Sequence, residues 1–268
     1  MGSKILAIIV TYNPSVELLE KNINSILPQV DALFLFDNGS VNAQEIHEIQ
    51  KRKHFKAVYN EENVGLGRAY NSILFGNLDQ YDYFVTFDQD TSILPQTIDT
   101  LVNILEEQQS IGVIGPVFSR DTSVVNKKGD LVLKSAVIQS CAIFRSSVAL
   151  EVGRFNEDYF IDSVDFEYCL RIRKKGFKVA LFNGVQIQHN LGERKRSLGI
   201  NFFSHNKIRN YYIARNHMKI TKQYFRDFPA FVIKKNIFFF LHITKVVFLE
   251  RNRDKIQYLW KGITNQSL

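Results

Sequence analysis

The chain has 268 residues, 45% of them hydrophobic and 23% charged, with 22 Phe and 11 Tyr. That is enough apolar length to bury a full core, so intrinsic disorder is excluded; one large α/β domain, or one domain with a helical appendage, fits the size. Cys141 and Cys169 are too few for a disulfide scaffold or a Cys-rich metal site, and they suit a reducing compartment. The net charge of +7 is unevenly spread: residues 1–170 hold 13 Lys+Arg against 23 Asp+Glu, a net −10, and residues 171–268 hold 21 against 4, a net +17. An acidic front and a basic back ask for an anionic partner on one side, and nucleic acid, phosphate-bearing substrates and anionic membrane all stay open.

In chain order, the apolar run Ile5–Val10 is short for a signal-peptide core and predicts a buried first strand of a cytosolic protein. Asn13-Pro14-Ser15 opens a helix with Leu18, Leu19, Ile23, Ile26 and Leu27 at helical spacing. The strand ALFLF follows and ends at the turn-like Asp37-Asn38-Gly39-Ser40, then a polar helix near Ala43–Arg52. FKAVYN predicts a third strand, with a helix from about Gly65 to Phe75; DYFVTF predicts a fourth, ending at Asp88-Gln89-Asp90. A helix opening around Pro95 leads to the strand IGVIGPVF. Repeated β-α-β with short connections argues for a parallel sheet with helices on both faces. Residues 119–139 predict loops and an antiparallel excursion. Helices follow over SSVALEV and about Asp165–Lys175, then two strands, KVALF and VQIQH, and a helical chain from Gly199 to the end. These signals divide the chain into a catalytic domain, 1–195, and a basic helical extension, 196–268.

Ligands of open α/β sheets sit at the carboxyl ends of parallel strands. Three polar clusters fall at such ends: Thr11-Tyr12-Asn13, Asp37-Asn38-Gly39-Ser40 and Asp88-Gln89-Asp90. Any one could be turn chemistry, whereas three converge on a crevice. Asp88 and Asp90 supply hard oxygens suited to Mg²⁺ or Mn²⁺ on a nucleotide's phosphates. Gly65-Leu66-Gly67 does not make a dinucleotide fingerprint, because Tyr70 stands at the third glycine position and the pair follows the third strand, not the first. Further on, Asp158, Asp162, Asp165 and Glu167 crowd a stretch rich in Phe and Tyr, either as candidates for general-base work or as helix caps.

In order, AIIVTYNP, FDNGS, NVGLGRAYN, FDQD, QSCAIFRSSVALEVGRFNEDYF, VDFEYCLR and IQHNLGE resemble the glycosyltransferase family 2 enzymes of GT-A fold. Within that family the chain looks most like bacterial rhamnosyltransferases that use a dTDP-sugar to build O-antigen or capsule. The resemblance implies an α/β GT-A fold with a mostly parallel central sheet. It implies a nucleoside pocket of Thr11, Tyr12, Asp37, Asn63 and Gly65, with Asp88 at the nucleotide, and a Mg²⁺ or Mn²⁺ site of Asp90 and Asp88 completed by His189. Asp165 matches the family's catalytic base, although Val164 replaces its usual Glu neighbour, which leaves Asp162 as a competitor. The implied reaction is an inverting single displacement from a nucleotide-diphospho-sugar onto a lipid-linked saccharide, with Arg209, Tyr212 and Arg215 facing acceptor or membrane. Cys141 is expected to pack.

The segment Phe231–Glu250 is long enough to span a bilayer but holds Lys234, Lys235 and Lys245. Three central lysines cost ~8–10 kcal/mol against ~4–8 returned by the apolar residues, so spanning is disfavoured. On a helical wheel the lysines and His242 share one arc, opposite Val232, Ile233, Ile237, Phe239, Phe240 and Ile243. This suits a helix lying in an anionic membrane interface or packed on its own domain, and the two are compatible. The whole predicts an enzyme peripherally attached to the inner face of the plasma membrane. The alternatives are a UDP-hexose or UDP-N-acetylhexosamine donor on the same fold and, remotely, a basic nucleic-acid-binding protein; the Phe-rich basic segment and the acidic crevice argue against nucleic acid as a partner.

Overall fold

The alternation of apolar runs and amphipathic stretches folds largely as it predicts. A computed structural model describes residues 2–118, 129–187, 194–197 and 199–268. The chain divides into two compact units, Met1–Glu157 with Tyr168–Asn190, and Asp158–Glu167 with Leu191–Leu268.

The first unit opens with β1 (Ile5–Thr11), buried along its whole length because parallel strands flank it on both sides. Helix α1 (Val16–Ile26) begins where the Ser15 side chain accepts from the Leu18 amide, and it buries Leu19, Ile23 and Ile26. Then come β2 (Ala32–Asn38), α2 (Ala43–Lys53), β3 (Lys56–Asn60), α3 (Leu66–Leu74), β4 (Tyr83–Asp88), α4 (Thr97–Glu107) and β5 (Ile111–Phe118). After them come β6 (Leu131–Lys134), β7 (Ala142–Arg145), α5 (Ser146–Val152), α6 (Val164–Lys174), whose first turn belongs to the second unit, and β8 (Lys178–Ile187).

The sheet order is β3-β2-β1-β4-β7-β5-β8-β6. The β3-β2-β1-β4 half is parallel, as is the pair β5-β8; β7 runs antiparallel to β4 and β5, and β6 antiparallel to β8. On one face Ile9, Leu35, Val85 and Ile143 pack with Ile23, Ile46 and Leu101. Alternate residues face the other way: Phe84 stacks on Phe144, and Phe155 stacks on Tyr168 at 3.9 Å. This mixed α/β sheet flanked by helices is the expected GT-A architecture. Two details differ from the sequence expectation. KVALF and the described part of the next predicted strand, Val185–Ile187, are one strand, β8, because a register irregularity opposite Pro116 and Val117 carries the pairing across the intervening Asn183-Gly184. The four-residue β7 was not anticipated, since a fully buried run that short has no readable period.

The second unit contains the antiparallel pair β9 (Arg194–Ser197) and β10 (Ile200–Phe203), then α7 (Lys207–Tyr224), α8 (Pro229–Thr244), one π-helical turn (Lys245–Glu250) and α9 (Arg253–Ile263). The hairpin corrects the wholly helical expectation for this region. Ala214, Val246 and Leu259 form its core with Phe239, Ile243, Ile256 and Ile263. Helices α7 and α9 meet at Gly262, where a Cβ would collide with the Tyr211 carbonyl and lie 2.9 Å from the Ala214 methyl.

Candidate active site

Strand register brings the polar clusters together. Thr11 lies opposite Asp37 on β2, and Val10 opposite Asp88 on β4, so the ends of β1, β2 and β4 open on one edge of the sheet. The Asp37 carboxylate is buried and accepts three bonds: from the Thr11 hydroxyl at 2.9 Å, the Ser40 amide at 3.1 Å and the Ser40 hydroxyl at 2.5 Å. The Asn13 amide donates in turn to the Ser40 hydroxyl, tying the β1 end to the turn after β2. Gly39 allows this turn. Its φ is +82°, and a Cβ there would sit 2.8 Å from the Glu62 carbonyl carbon. Beside it the Asn38 side chain donates to Asn63 Oδ1 at 3.0 Å and accepts from the Val64 amide, while the Gly65 amide also donates to Asn63 Oδ1. Thr11 and Asp37 thus share one hydrogen-bonded group, Asn63 and Gly65 belong to a second beside it through Asn38, and the Tyr12 amide donates to Gln89 Oε1 at 2.8 Å.

Around Asp88 the structure gathers Gln139 and Ser140 of the QSCAIF motif with Asn22 and Thr91, which no motif contains. Gln139 donates to Asp88 Oδ1 at 2.9 Å, Asn22 donates to the Asp88 carbonyl at 2.8 Å, and the Asp88 amide donates to the Ser140 hydroxyl at 3.1 Å. Ser140 in turn donates to Thr91. The signal for Asn22 was present in the sequence: it is a fully buried amide on the apolar face of α1, where an unpaired polar group would be costly. Cys141 is fully buried, and burial pushes its thiol well above the ordinary range, so it packs and is not reactive.

Among the described residues no three His, Cys, Asp or Glu side chains gather around a common point. Asp88 and Asp90 stand two residues apart at the end of β4, with the Asp88 carboxylate oriented by Gln139. This oxygen donor set fits Mg²⁺ or Mn²⁺, which retain waters and draw further ligands from substrate phosphates. His189 lies outside the described residues.

In the second unit, Asp165 stands in the first turn of α6, one position past its start. Asp162, its competitor, accepts from Arg209 Nε at 3.1 Å and Nη2 at 3.0 Å. Arg215 bonds the Asp158 carbonyl and lies 4.7 Å from the centre of the Tyr212 ring, which itself stacks on Phe160. Arg209, Tyr212 and Arg215 therefore all engage the 158–162 segment. Lys235 sits 3.3 Å from the Phe166 ring centre. Burial lowers its pKa to about 8, while Asp165 and Asp162 oppose that shift.

The arcs of the α8 wheel do not separate inside from outside: Val232, Phe239 and Ile243 of the apolar side turn inward, Ile233, Ile237 and Phe240 of the same side are exposed, and Lys234 of the ionisable arc is exposed while His242 is half-buried against Asn210. His242 Nε2 bonds Asn210 at 2.8 Å, Asn236 bonds His217 at 2.7 Å, and Lys245 donates to the Phe203 carbonyl at 2.8 Å. Burial, then Lys245 and His205, lower the His242 pKa to about 4, so the ring is neutral at physiological pH. Glu250, with its side chain only 4% exposed, pairs with Lys245 and Lys255. Burial pushes its carboxyl up, and the hydrogen bonds from Lys255 and Ser204 with the two lysine charges outweigh that, holding it below the usual carboxylate range. Outward stand Ile233, Ile237, Phe238, Phe240, Leu241 and Phe248, each at least half exposed. No helix among the described residues is long and apolar enough to cross a membrane.

A mixed sheet flanked by helices, with carboxylates at its parallel strand ends, is the architecture of GT-A glycosyltransferases. Residues 6–170 match the model of glycosyl transferase family 2, and the chain belongs to that family. It is similar to the dTDP-rhamnosyl transferase RfbF of Shigella flexneri, with 29% identity covering 98% of this chain and 94% of the relative. Among solved structures it resembles the mannosyltransferase PcManGT from Pyrobaculum calidifontis in complex with GDP-Man and Mn²⁺, at TM-score 0.67, 16% identity and 100% and 77% coverage of the two chains. It also resembles GalNAc-T7 with UDP, GalNAc and Mn²⁺, at TM-score 0.62 and 11% identity; that match takes in 86% of this chain and about half, 49%, of the other. These two likenesses speak for the fold alone.

Proposed function

We propose that this glycosyltransferase moves L-rhamnose from dTDP-rhamnose onto a lipid-linked saccharide during the building of a cell-surface polysaccharide, with inversion and with a divalent metal. The observation that carries the donor is the similarity to a dTDP-rhamnosyl transferase over nearly the whole of both chains. In this reading Thr11, Tyr12, Asp37, Asn63 and Gly65 line the nucleoside pocket, and the Asp37 network keeps its edge rigid. Asp88, Asp90 and His189 would hold Mg²⁺ or Mn²⁺, which would supply positive charge for the diphosphate leaving group. Asp165 takes the proton of the acceptor hydroxyl as that oxygen attacks the anomeric carbon opposite the nucleotide. One base and one leaving-group clamp suffice for a single displacement.

Residues 1–195 are read as the catalytic domain and 196–268 as a basic extension for acceptor and membrane. The outward apolar face of α8, with Lys222, Arg226, Lys234, Arg251 and Arg253 exposed in the same unit, supports peripheral attachment to anionic lipid at the cytoplasmic face. Flotation with phosphatidylglycerol vesicles tests this: Phe240→Ser with Phe248→Ser is expected to abolish binding, and undiminished binding would remove the role of the face. For the donor, dTDP-rhamnose with Mg²⁺ or Mn²⁺ is expected to raise the melting temperature more than UDP-hexoses or UDP-N-acetylhexosamines, and EDTA to cancel the gain. A larger shift with a UDP-sugar would replace the donor assignment. Asp165→Asn is expected to bind nucleotide and fail to transfer; near-normal turnover would remove the base.

A further inference from the structure

The turn that leads into α6 is held in a conformation its residues disfavour. Asp162 and Ser163 have φ of 62° and 65°, two successive non-glycine residues in the left-handed region. Such geometry persists only where the surroundings over-determine it, and it collects where position matters for chemistry. Glycine at either place would adopt it without steric cost.

The surroundings are supplied by α7. Arg209 grips the Asp162 carboxylate through Nε and Nη2. Fully buried Asn216 donates from Nδ2 to the carbonyls of both Ile161 and Asp162, at 2.7 and 2.8 Å. Its own Oδ1 accepts from Arg215 Nε and Nη2, both at 3.2 Å, which fixes the amide with its donors toward the turn. The Arg209–Asp162 pair is too exposed on the arginine side, at 46%, to add much stability. A two-point guanidinium–carboxylate contact fixes geometry. Two residues beyond the strained pair stands Asp165.

We infer that Arg209 and Asn216 are positioning residues for the catalytic base: they clamp the Asp162–Ser163 turn and thereby set where the first turn of α6 presents the Asp165 carboxylate. The inference rests on the reading of Asp165 as the acceptor base. Misplacing a reacting group by about 1 Å costs ~100-fold in rate, so Arg209→Ala and Asn216→Ala are each expected to lower kcat ~100-fold while KM for the nucleotide sugar stays within ~2-fold. Arg209→Lys, which keeps the charge but loses the two-point grip, is expected to recover only part of the rate. Adding Ser163→Gly to Arg209→Ala is expected to restore ~10-fold, because the turn then needs less holding; a merely structural role would not produce that rescue. Melting temperatures recorded alongside identify any variant that has failed to fold, and Arg209→Lys carries the comparison in that case. Unchanged kcat in folded Arg209→Ala or Arg209→Lys overturns the inference, as does a parallel rise in donor KM. If Asp165→Asn is inactive while Arg209→Ala is fully active, the clamp alone fails. If Asp165→Asn retains turnover, the base reading fails and the clamp with it.

Discussion

Asp37 offers the sharpest test of the nucleoside edge, because its three partners are all donors and differ in what they can do without it. The Thr11 hydroxyl has a second acceptor in the Phe36 carbonyl at 3.5 Å, and the Ser40 hydroxyl can turn and still accept from the Asn13 amide at 2.8 Å. The Ser40 amide donates to the carboxylate itself, at 3.1 Å. In Asp37→Asn the amide oxygen takes the Ser40 N–H, and the NH₂ meets two hydroxyls able to accept. The loss is then of charge assistance, ~1–2 kcal/mol. In Asp37→Ala a part-buried N–H loses its partner and two charge-assisted bonds vanish, which raises the cost to ~3–5 kcal/mol. For a chain of this size that corresponds to a melting temperature lower by ~2–8 °C for Asn and ~6–20 °C for Ala. Urea unfolding and a thermal melt at neutral pH measure both, and calorimetric titration with dTDP follows the pocket. Equal stability of the two variants, or a loss below ~1 kcal/mol for Ala, would refute the reasoning from donor count.

Three further outcomes follow from other parts of the molecule. Arg145 is buried and donates to the carbonyls of Ile111 and Leu105 and to the Tyr83 hydroxyl; Arg145→Met leaves these acceptors unmatched and is expected to cost ~3–5 kcal/mol in urea unfolding, with Arg145→Lys intermediate. Gly262→Ala drives a methyl into the Tyr211 carbonyl at the α7–α9 crossing, and proteolysis after Lys255 or Lys261 should accelerate at least several-fold; resistance equal to the parent would mean the helices shift without loss. Burial depresses the Lys235 pKa from 10.5 to about 8, so between these values the unfolded chain holds the proton and the folded chain does not, and this group's contribution to stability rises with pH. Lys235→Met is therefore expected to be more stable than the parent at pH 7, with the gap closing towards pH 10.5; a pH-independent gap would show that the lysine is not desolvated.

The local elements and the crevice were legible in the chain because both follow from near-neighbour chemistry. Ile5–Val10, ALFLF and YFVTF are apolar on both faces, as strands inside a parallel sheet must be, and the polar residues that follow each one necessarily fall at strand ends. Ser15, Asp37, Asp88 and Asp90 could be placed on that basis alone. Tertiary structure decided matters that depend on residues far apart. Period gives the arcs of α8 but not which residues turn inward: Asn210 holds His242, His217 holds Asn236 and the Phe203 carbonyl holds Lys245, while Phe239 and Ile243 join the core and Phe238, Phe240 and Phe248 stay outside. The same holds for Arg209 and Arg215, which read as exposed cations until the 158–162 segment is seen to meet them. A side chain's charge is local, whereas its partner is set by a fold that joins residues some fifty positions apart.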